Sequence, residues 1–450
     1  MRRTARYCVM AWLLPTVGAA QTASIPAADT LSLEAAVRLA VEYNVSLQTA
    51  RLQVDKATEE IAVARTYRLP SFETSLTASE LLTPVGFTFP AGAFGVYPGT
   101  GPIPSTDMRI TTPRQPTAYF SAQVSQPLSQ LFRFGLGIRT ATAERDIERE
   151  RLRAQQLSLV SNVKRLYYAI LQTQSAVAAS NDAIALYREL DRTIQLRVVQ
   201  KVALRSDALD VQFHLVQEEF ERTRHTNTLA TQKEQLNQLL GRDVRTAFEV
   251  EGVPEISFVD VDLEAAQSRA LNNRPDLEEA RLRLKQAELD YRQKKSERIP
   301  EVSLSLSYSS YFNMDVLPRN LASAGVQVKW EPFDWGRARR QLAARNHTIE
   351  QARHRVREAE DRTVLEVNNL FRKLTEARAL LNVVHVAQRT AREKLRVTTN
   401  QFQVQAALLS DVLQVRAEVS SADDRREQAL LAYWTAKANF EHALGEEVIR

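Results

Sequence analysis

The residues best suited to chemistry in this chain stand in two matching segments, each with the pattern Ser-Asp-x-Leu-x-Val. The first contains Ser206 and Asp207, and the second contains Ser410 and Asp411. Serine and aspartate oxygens accept hydrogen bonds from the free N–H groups at the start of a helix, and a carboxylate there interacts favourably with the helix dipole. Each segment is therefore predicted to begin a helix and to place one carboxylate at the N-terminal end of that helix.

The remaining polar residues do not suggest an enzymatic or metal site. His347 and His354 are two helical turns apart, but Arg345, Arg353 and Arg355 lie beside or between them and would repel a cation. No cysteines or carboxylates complete a metal site around the two histidines. The sequence also has no Ser-His-Asp ordering, phosphate-binding glycine loop or paired-carboxylate motif. We therefore predict that the protein is not an enzyme and holds no cofactor or metal.

An internal duplication determines how the two Ser-Asp segments are positioned. Residues 33–70 reappear as residues 263–300, at a constant offset of 230. The Ser-Asp segments and the Leu-Gly pairs at 240–241 and 444–445 match at an offset of 204. A duplication of this length predicts two similar structural units that pack around a pseudo-symmetry axis.

The two offsets differ by 26, which places an insertion of about that size in the first copy. The loop 80–116, rich in glycine and proline, accounts for nearly all of it, and it is either an extracellular lid or a disordered surface loop. We predict a first repeat at 31–241 (helix, β-hairpin with this long loop, long helix pair). A connector at 242–262 leads to a second repeat at 263–445 with the same order of elements.

The N-terminus predicts export. Residues 1–6 are basic, an apolar run follows, and small residues precede a cleavage point after Ala20. This pattern is typical of a secretory signal peptide, and residues 1–20 are assigned to one. Cys8 is the only cysteine and lies inside this peptide, so the exported chain would be held together without disulfides.

The balance of basic and acidic residues argues against nucleic acid as a partner. Three of the 59 basic residues lie in the signal peptide, which leaves 56 against 54 acidic residues. Such a balance, spread along the whole chain, is not the electrostatic pattern of a protein that binds nucleic acid.

Long helices are predicted for most of the chain. Residues 138–200 contain neither proline nor glycine, and their apolar residues recur at spacings of three and four. Residues 337–400 repeat the pattern, and shorter helical segments follow at 206–240 and 410–444. The sequence thus predicts two long antiparallel helix pairs. Their apolar stripes are narrow, so a single chain would bury little core and would need neighbours.

Four segments alternate between apolar and polar residues and are predicted to be strands: 71–79, 119–126, 301–308 and 325–330. One interpretation is a half-buried sheet in a soluble domain. The other is the wall of an outer-membrane barrel, with apolar side chains facing lipid. Four strands leave two open edges, which lipid does not tolerate, so the second interpretation requires several chains to share one barrel.

Taken together, these motifs resemble the TolC family of outer-membrane channels, which serve efflux pumps and type I secretion systems. The resemblance covers nearly all of the exported chain. Each motif alone is weak, but their order, duplication and spacing are specific. The motifs are Leu31-Ser32-Leu33-Glu34-Ala35-Ala36 and its copy from Leu263, Gln126-Pro127-Leu128, Glu331-Pro332-Phe333-Asp334-Trp335-Gly336, and the two Ser-Asp segments.

The resemblance implies a mainly α fold with a small β part. In a homotrimer, four strands from each protomer would form a shared twelve-stranded barrel, and the long helices would form a periplasmic tunnel. The implied location is the outer membrane, with a periplasmic extension. The implied partners are outer-membrane lipid, a periplasmic adaptor protein and an inner-membrane transporter.

The resemblance also places the turns before the Ser-Asp segments at the periplasmic tip, where the bore narrows and the adaptor docks. Asp411 would line the constriction, although helix capping alone explains the Ser-Asp pairs equally well. The tip turns here lack the glycine that many relatives have, and an often acidic position is Gln414. The candidate tip residues are Lys201, Ser206, Asp207, Gln405, Ser410, Asp411 and Gln414.

The sequence therefore predicts a passive outer-membrane exit duct of a tripartite efflux pump or type I secretion system. The alternative is a soluble periplasmic coiled-coil adaptor or scaffold. A wide aqueous duct of this kind needs little chemistry of its own.

Overall fold

A computed structural model describes residues 29–202, 204–252, 262–314, 318–404, 406–407 and 409–446. The predicted signal peptide lies outside these ranges. The fold is mainly helical with a small β part, as the sequence predicts. The helices are α1 (Leu33–Tyr43), α2 (Val45–Thr66), α3 (Leu131–Val199), α4 (Arg205–Leu239), α5 (Leu263–Asn273), α6 (Pro275–Ser296), α7 (Arg337–Gln403) and α8 (Leu409–Ala443). The strands are β1 (Asp29–Leu31), β2 (Ser71–Glu80), β3 (Val85–Phe89), β4 (Val96–Tyr97), β5 (Gly101–Pro102), β6 (Met108–Thr112), β7 (Pro116–Pro127), β8 (Phe248–Val250), β9 (Glu301–Phe312) and β10 (Asn320–Lys329).

Each copy of the repeat opens with two short helices where the sequence predicts one. At the break between α1 and α2, the Asn44 N–H donates to the Ala40 carbonyl at 3.0 Å. The Asn44 side chain in turn accepts from the Leu47 N–H at 3.1 Å. The second copy breaks at Arg274, where Pro275 begins α6. One residue thus ends a helix and caps the next.

The two long helices, α3 and α7, set the length of the molecule. With 69 and 67 residues, they are each about 100 Å long at 1.5 Å per residue. Val163 and Ile170 are fully buried on α3, and Val367 is fully buried at the matching place on α7. The apolar seam predicted for each long helix is therefore confirmed.

The two hairpins have the same register. β2 and β7 pair Ser71 with Ser125, and β9 and β10 pair Glu301 with Lys329. The first members of these pairs differ by 230 and the second members by 204, which are the offsets of the sequence repeat. The extra residues of the first copy thus lie wholly in the loop between the paired strands.

The hairpins join into one four-stranded antiparallel sheet in the order β10–β9–β7–β2. One face is hydroxyl-rich: Ser75 and Ser121 share a hydrogen bond at 2.7 Å, and so do Ser307 and Ser323. The opposite face is apolar and exposed. Its larger exposed members are Phe72, Leu76, Phe120, Leu304, Leu306, Tyr308, Phe312, Val326 and Val328.

The loop 80–116 contains strands that the sequence analysis did not predict. β3 pairs with β6, and β4 pairs with β5, so the loop extends from the main sheet as further antiparallel pairs. Phe89 and Phe94 pack in it with ring centroids 5.1 Å apart.

A second unpredicted feature ties the two ends of the first repeat together. β1, which precedes the first helix of this repeat, pairs in parallel with β8, which follows its last helix, beside the buried ring of Tyr167. The Tyr167 hydroxyl lies 2.8 Å from the Leu31 carbonyl oxygen and 2.7 Å from that of Glu251. Burial raises the pKa of Tyr167 to about 12, so the ring stays neutral and can donate.

Two glycines allow close packing at the middle of the helical region. Gly241 follows α4 with φ +70°, and Gly445 follows α8 with φ +69°. A Cβ at Gly241 would lie 2.2 Å from the Tyr43 carbonyl oxygen, and one at Gly445 would lie 2.9 Å from that of Asn273. Each glycine therefore lets the end of one helix pair approach the break between the two short helices of its own repeat.

Candidate functional site at the helix-pair turns

The two turns that carry the candidate tip residues lie at the same end of the molecule. α3 and α8 run antiparallel and are joined by an ion pair of 2.7 Å between Lys164 and Glu441. From this pair, α3 continues forward to Val199, and α8 extends back by a similar length to Leu409. At 1.5 Å per residue, both turns thus lie about 50 Å away.

The first turn ends α3 with a Schellman motif. The Val202 N–H donates to the Arg197 carbonyl at 2.9 Å, and the Lys201 N–H donates to the Val198 carbonyl at 3.0 Å. Lys201 has φ +58°, in the left-handed region where glycine is usual. The structure thus places Lys201 where the sequence analysis noted the missing glycine.

Asp207 stabilises the start of α4 in this turn. Its carboxylate accepts a hydrogen bond from the Leu204 N–H at 3.2 Å, and the Ser206 hydroxyl lies 3.4 Å from its other oxygen. Satisfying a free N–H at a helix start is the capping role that the sequence suggested.

The second turn follows the same design. The Ala406 N–H donates to the Gln401 carbonyl at 2.8 Å, which matches the bond from Val202 to Arg197. Ser410 and Asp411 are in the first turn of α8, and Asp411 and Gln414 are exposed. Gln405, another candidate tip residue, lies outside the described residues.

In each helix pair, an ion pair joins the two helices near their connecting turn. Arg188 on α3 pairs with Glu219 on α4 at 2.8 Å, and Arg392 on α7 pairs with Asp423 on α8 at 2.9 Å. The two pairs differ by 204 at both positions, so they are one interaction present in both copies.

Sequence analysis missed an apolar stripe on α4. Leu209, Phe213, Val216 and Phe220 are each more than half exposed and recur at intervals of four, three and four residues. This spacing is visible in the sequence and marks one face of a helix. Nothing in the described part of the chain covers this face.

The described residues contain no group of histidine, cysteine, aspartate or glutamate able to hold a metal ion. His347 and His354 are exposed on α7. Within the described ranges, no helix has an apolar stretch long enough to cross a bilayer.

The profile of a family described as outer membrane efflux protein matches residues 36–242 and 266–446. The starts of the two matched segments differ by 230 and their ends by 204, as in the repeat. The chain belongs to the outer membrane efflux protein family. The prediction of an outer-membrane location is thereby confirmed. Membership also favours the channel over the soluble adaptor and agrees with the prediction of a non-enzymatic role.

Solved structures share the fold of this outer membrane efflux protein. The outer-membrane channel OprN superposes with a TM-score of 0.74 at 16% identity, over 93% of this chain and 91% of OprN. The CmeC outer membrane channel of Campylobacter jejuni gives 0.75 at 13% identity, over 92% and 85%. VceC of Vibrio cholerae gives 0.71 at 16% identity, over 92% and 96%. The predicted resemblance to TolC-family channels is therefore confirmed for the fold.

A curated protein of Haemophilus influenzae, named only as uncharacterized, is 24% identical over 246 residues. The alignment covers 54% of this chain and 53% of that protein. The chain thus spans about half the length of the curated relative that it matches.

Proposed function

We propose that this outer membrane efflux protein is a passive exit duct that works as a homotrimer. Twelve strands would close one barrel, and the helices would form a periplasmic tunnel. A periplasmic adaptor and an inner-membrane transporter would deliver substrates to it and supply the energy. The observation that carries the proposal is that, within the described part of the chain, the sheet and the helical layer both end in edges without a partner.

The sheet cannot stand alone in lipid. Every residue of its edge strands β2 and β10 is exposed, and each unpaired backbone group in a bilayer costs on the order of several kcal/mol. Because the sheet has four antiparallel strands, β10 of one copy runs antiparallel to β2 of the next. Neighbouring copies can therefore continue the same ladder. The apolar face then meets lipid and the serine face meets water.

The helical layer is also incomplete. α3 packs against α2 and α4 of its own repeat and against α6 and α8 of the other. Its counterpart α7 packs against α5, α6 and α8, which all belong to its own repeat. Among the described residues, α7 makes no comparable contact with α2 or α4. A neighbouring copy would supply these two helices.

Exposed apolar residues lie where these contacts would form. The stripe on α4 ends at Phe220, and Val383 and Val386 are exposed on α7, at 64% and 63%. Large apolar side chains left exposed on two helices of one chain support assembly.

The turns at the far end of the helix pairs would form the periplasmic aperture and receive the adaptor. Three copies of Asp411 would line the constriction and attract cations. Lys201, Ser206, Asp207, Gln405, Ser410 and Gln414 would form the rest of this rim. The support is that both turns lie at one end, about 50 Å from the Lys164–Glu441 ion pair.

The test of the duct is conductance. The detergent-extracted protein should run as a trimer and should produce discrete ion-conducting steps in a planar lipid bilayer. A water-soluble monomer that produces no steps would contradict the proposal.

The test of the aperture compares Asp411→Asn with Asp207→Asn, which changes the equivalent residue of the first copy. If three Asp411 carboxylates line the bore, Asp411→Asn should lower the preference for cations over anions, and Asp207→Asn should change it less. Equal, small losses of stability with unchanged selectivity in both variants would leave helix capping as the only role.

A further inference from the structure

A cleft lies where α1, α3 and α8 meet, and it has a volume of about 320 Å³. This is the size of a small-molecule site. All of its lining residues belong to these three helices, so α2, α4 and α7, which would contact neighbouring copies, do not line it. Assembly through those helices would therefore leave the cleft open.

We propose that this cleft binds a small aromatic carboxylate. The ring would lie against the apolar side chains of the cleft, and the carboxylate would lie between Arg38 on α1 and Lys437 on α8. Because α1 and α3 belong to the first repeat and α8 to the second, the bound molecule would bridge the two repeats. The proposal does not depend on the number of copies that assemble.

The cleft has a surplus of positive charge. Three basic side chains and two carboxylates line it. The Glu441 carboxylate is 2.7 Å from Lys164 and 3.9 Å from Lys437, so it is shared between two ammonium groups. Arg38 is exposed and makes no ion pair with the residues that the structure describes, while the second carboxylate, Glu34, is exposed one helical turn before it. An anion beside Arg38 and Lys437 would balance the surplus.

The apolar side of the cleft is suited to an aromatic ring. The ring centroids of Tyr168 and Trp434 are 6.2 Å apart, and Leu33 and Val37 add aliphatic side chains from α1. A further ring can pack on such a surface in an offset or edge-to-face arrangement. The Lys437 ammonium lies 4.8 Å from the centroid of the Trp434 ring. A cation is thus available beside the aromatic surface for a carboxylate attached to that ring.

Two hydrogen-bond donors at the cleft lack an acceptor. The Trp434 indole N–H is buried and has no partner within the described ranges. The Tyr168 hydroxyl has none there either, and burial raises the pKa of Tyr168, so the hydroxyl keeps its proton. A buried donor without an acceptor is unfavourable. Each carboxylate oxygen accepts more than one hydrogen bond, so a ligand that reached these groups would satisfy them.

The matching face of the second repeat carries different chemistry. Val37 and Lys164 correspond to Gln267 and Asn368, whose side chains form a hydrogen bond at 2.6 Å. Arg38 corresponds to Ser268. An aliphatic group and two cations are thus replaced by polar, uncharged side chains. The lining of the cleft is therefore not a general product of the repeated fold, and we expect one site per chain.

Calorimetric titration of the detergent-extracted protein with cinnamate tests the site. Saturable binding of one cinnamate per chain is expected. Cinnamamide, which has the same ring and no charge, should bind at least roughly tenfold more weakly, because it loses charge-assisted hydrogen bonds. Failure of cinnamate to saturate, or equal binding of the two compounds, would overturn the proposal.

Charge variants test where the carboxylate lies. Arg38→Gln and Lys437→Gln should each weaken cinnamate binding roughly tenfold and leave the binding of cinnamamide unchanged. The matched control is Lys233→Gln, at the position of the first copy that corresponds to Lys437, and it should bind cinnamate normally. An equal loss in the control would assign the affinity to overall charge. Normal binding by Arg38→Gln, a change at an exposed residue, would also contradict the proposal.

Fluorescence tests the position of the ring. The variant Trp330→Phe/Trp335→Phe leaves Trp434 as the only tryptophan outside the predicted signal peptide. Cinnamate should change the Trp434 emission with the same midpoint as the calorimetric titration. Unchanged emission at saturating cinnamate would place the bound molecule elsewhere and would overturn this site.

Discussion

The helices α3 and α7 are copies of one another, yet one lies at the centre of the chain and the other at its edge. On α3, Leu136 and Ile147 are buried, and Leu136 packs against Leu289 of the other repeat. The same positions on α7 are Arg340 and Gln351, both exposed. The duplication has thus preserved the shape of the helix while the residues of one face diverged. Burial follows from the place of a helix in the chain as much as from its pattern.

The largest expected loss of stability comes from substituting Gly241 or Gly445, which lie close to the backbone carbonyls of Tyr43 and Asn273. Gly241→Ala should lower the free energy of unfolding by about 3 to 5 kcal/mol, because alanine disfavours a positive φ and its Cβ would collide with the Tyr43 carbonyl. Gly445→Ala should cost roughly 2 to 3 kcal/mol, since its contact with Asn273 is less severe. Apparent unfolding temperatures of the extracted protein would rank the two. Equal losses would show that the halves are packed alike.

The next prediction compares a buried position on α3, at the centre of the chain, with its exposed counterpart on α7, at the edge. Ile147→Ala should cost about 2 to 4 kcal/mol, because it leaves a cavity among buried side chains. The matched change Gln351→Ala should cost under about 0.5 kcal/mol. The same thermal measurement applies. A loss at Gln351 as large as that at Ile147 would mean that the α7 face is as buried as the α3 face.

A smaller loss of stability is expected at a buried aromatic position that differs between the two repeats. Tyr167→Phe should cost about 1 to 2 kcal/mol, because the Glu251 carbonyl loses its buried hydroxyl donor. The equivalent residue of the second copy is already Phe371, whose ring packs against Phe440. Protection of the β1 and β8 amides from hydrogen exchange should fall in the variant. Unchanged protection would show that the strand pair does not depend on this hydroxyl.

The smallest expected effect is a dependence on pH that only the second copy has. Burial lowers the pKa of His442, and the nearby charges are Glu366, Asp276, Arg274 and Arg165. The unfolded chain therefore binds a proton more readily than the folded chain. Stability should be highest above the ordinary histidine pKa of 6.5 and should fall as the pH drops below it.

The control for this effect is His442→Gln, which installs the residue of the first copy, Gln238. It should make the unfolding temperature less sensitive to pH between 5 and 7.5. An unchanged slope would assign the pH dependence to other groups.

Much of this architecture could be predicted from the sequence, because its determinants are local or repeated. Alternation located all four strands of the main sheet, and the two offsets described both the hairpin register and the insertion. The turns at Lys201 and Asp207 were located by their match to the second copy.

Other features could not be predicted, because they depend on distant contacts. The pairing of β1 with β8 joins segments from opposite ends of the first repeat, and each strand is too short to show a pattern of its own. The α1–α2 break rests on the side chain of Asn44, whose counterpart is the chemically different Arg274. The free faces of α2 and α7 show no distinctive pattern, since exposure there depends on which helices are missing.

The equal register of the two hairpins has a consequence for the end of the sheet that carries the loop 80–116. Glu80 and Pro116 are paired just as Ser310 and Asn320 are, although the segment that connects them is much longer in the first copy than in the second. The pairing of the strands thus does not depend on the length of the segment that connects them. Foreign peptides grafted between Glu80 and Pro116 should therefore be tolerated without a change in the register of β2 and β7.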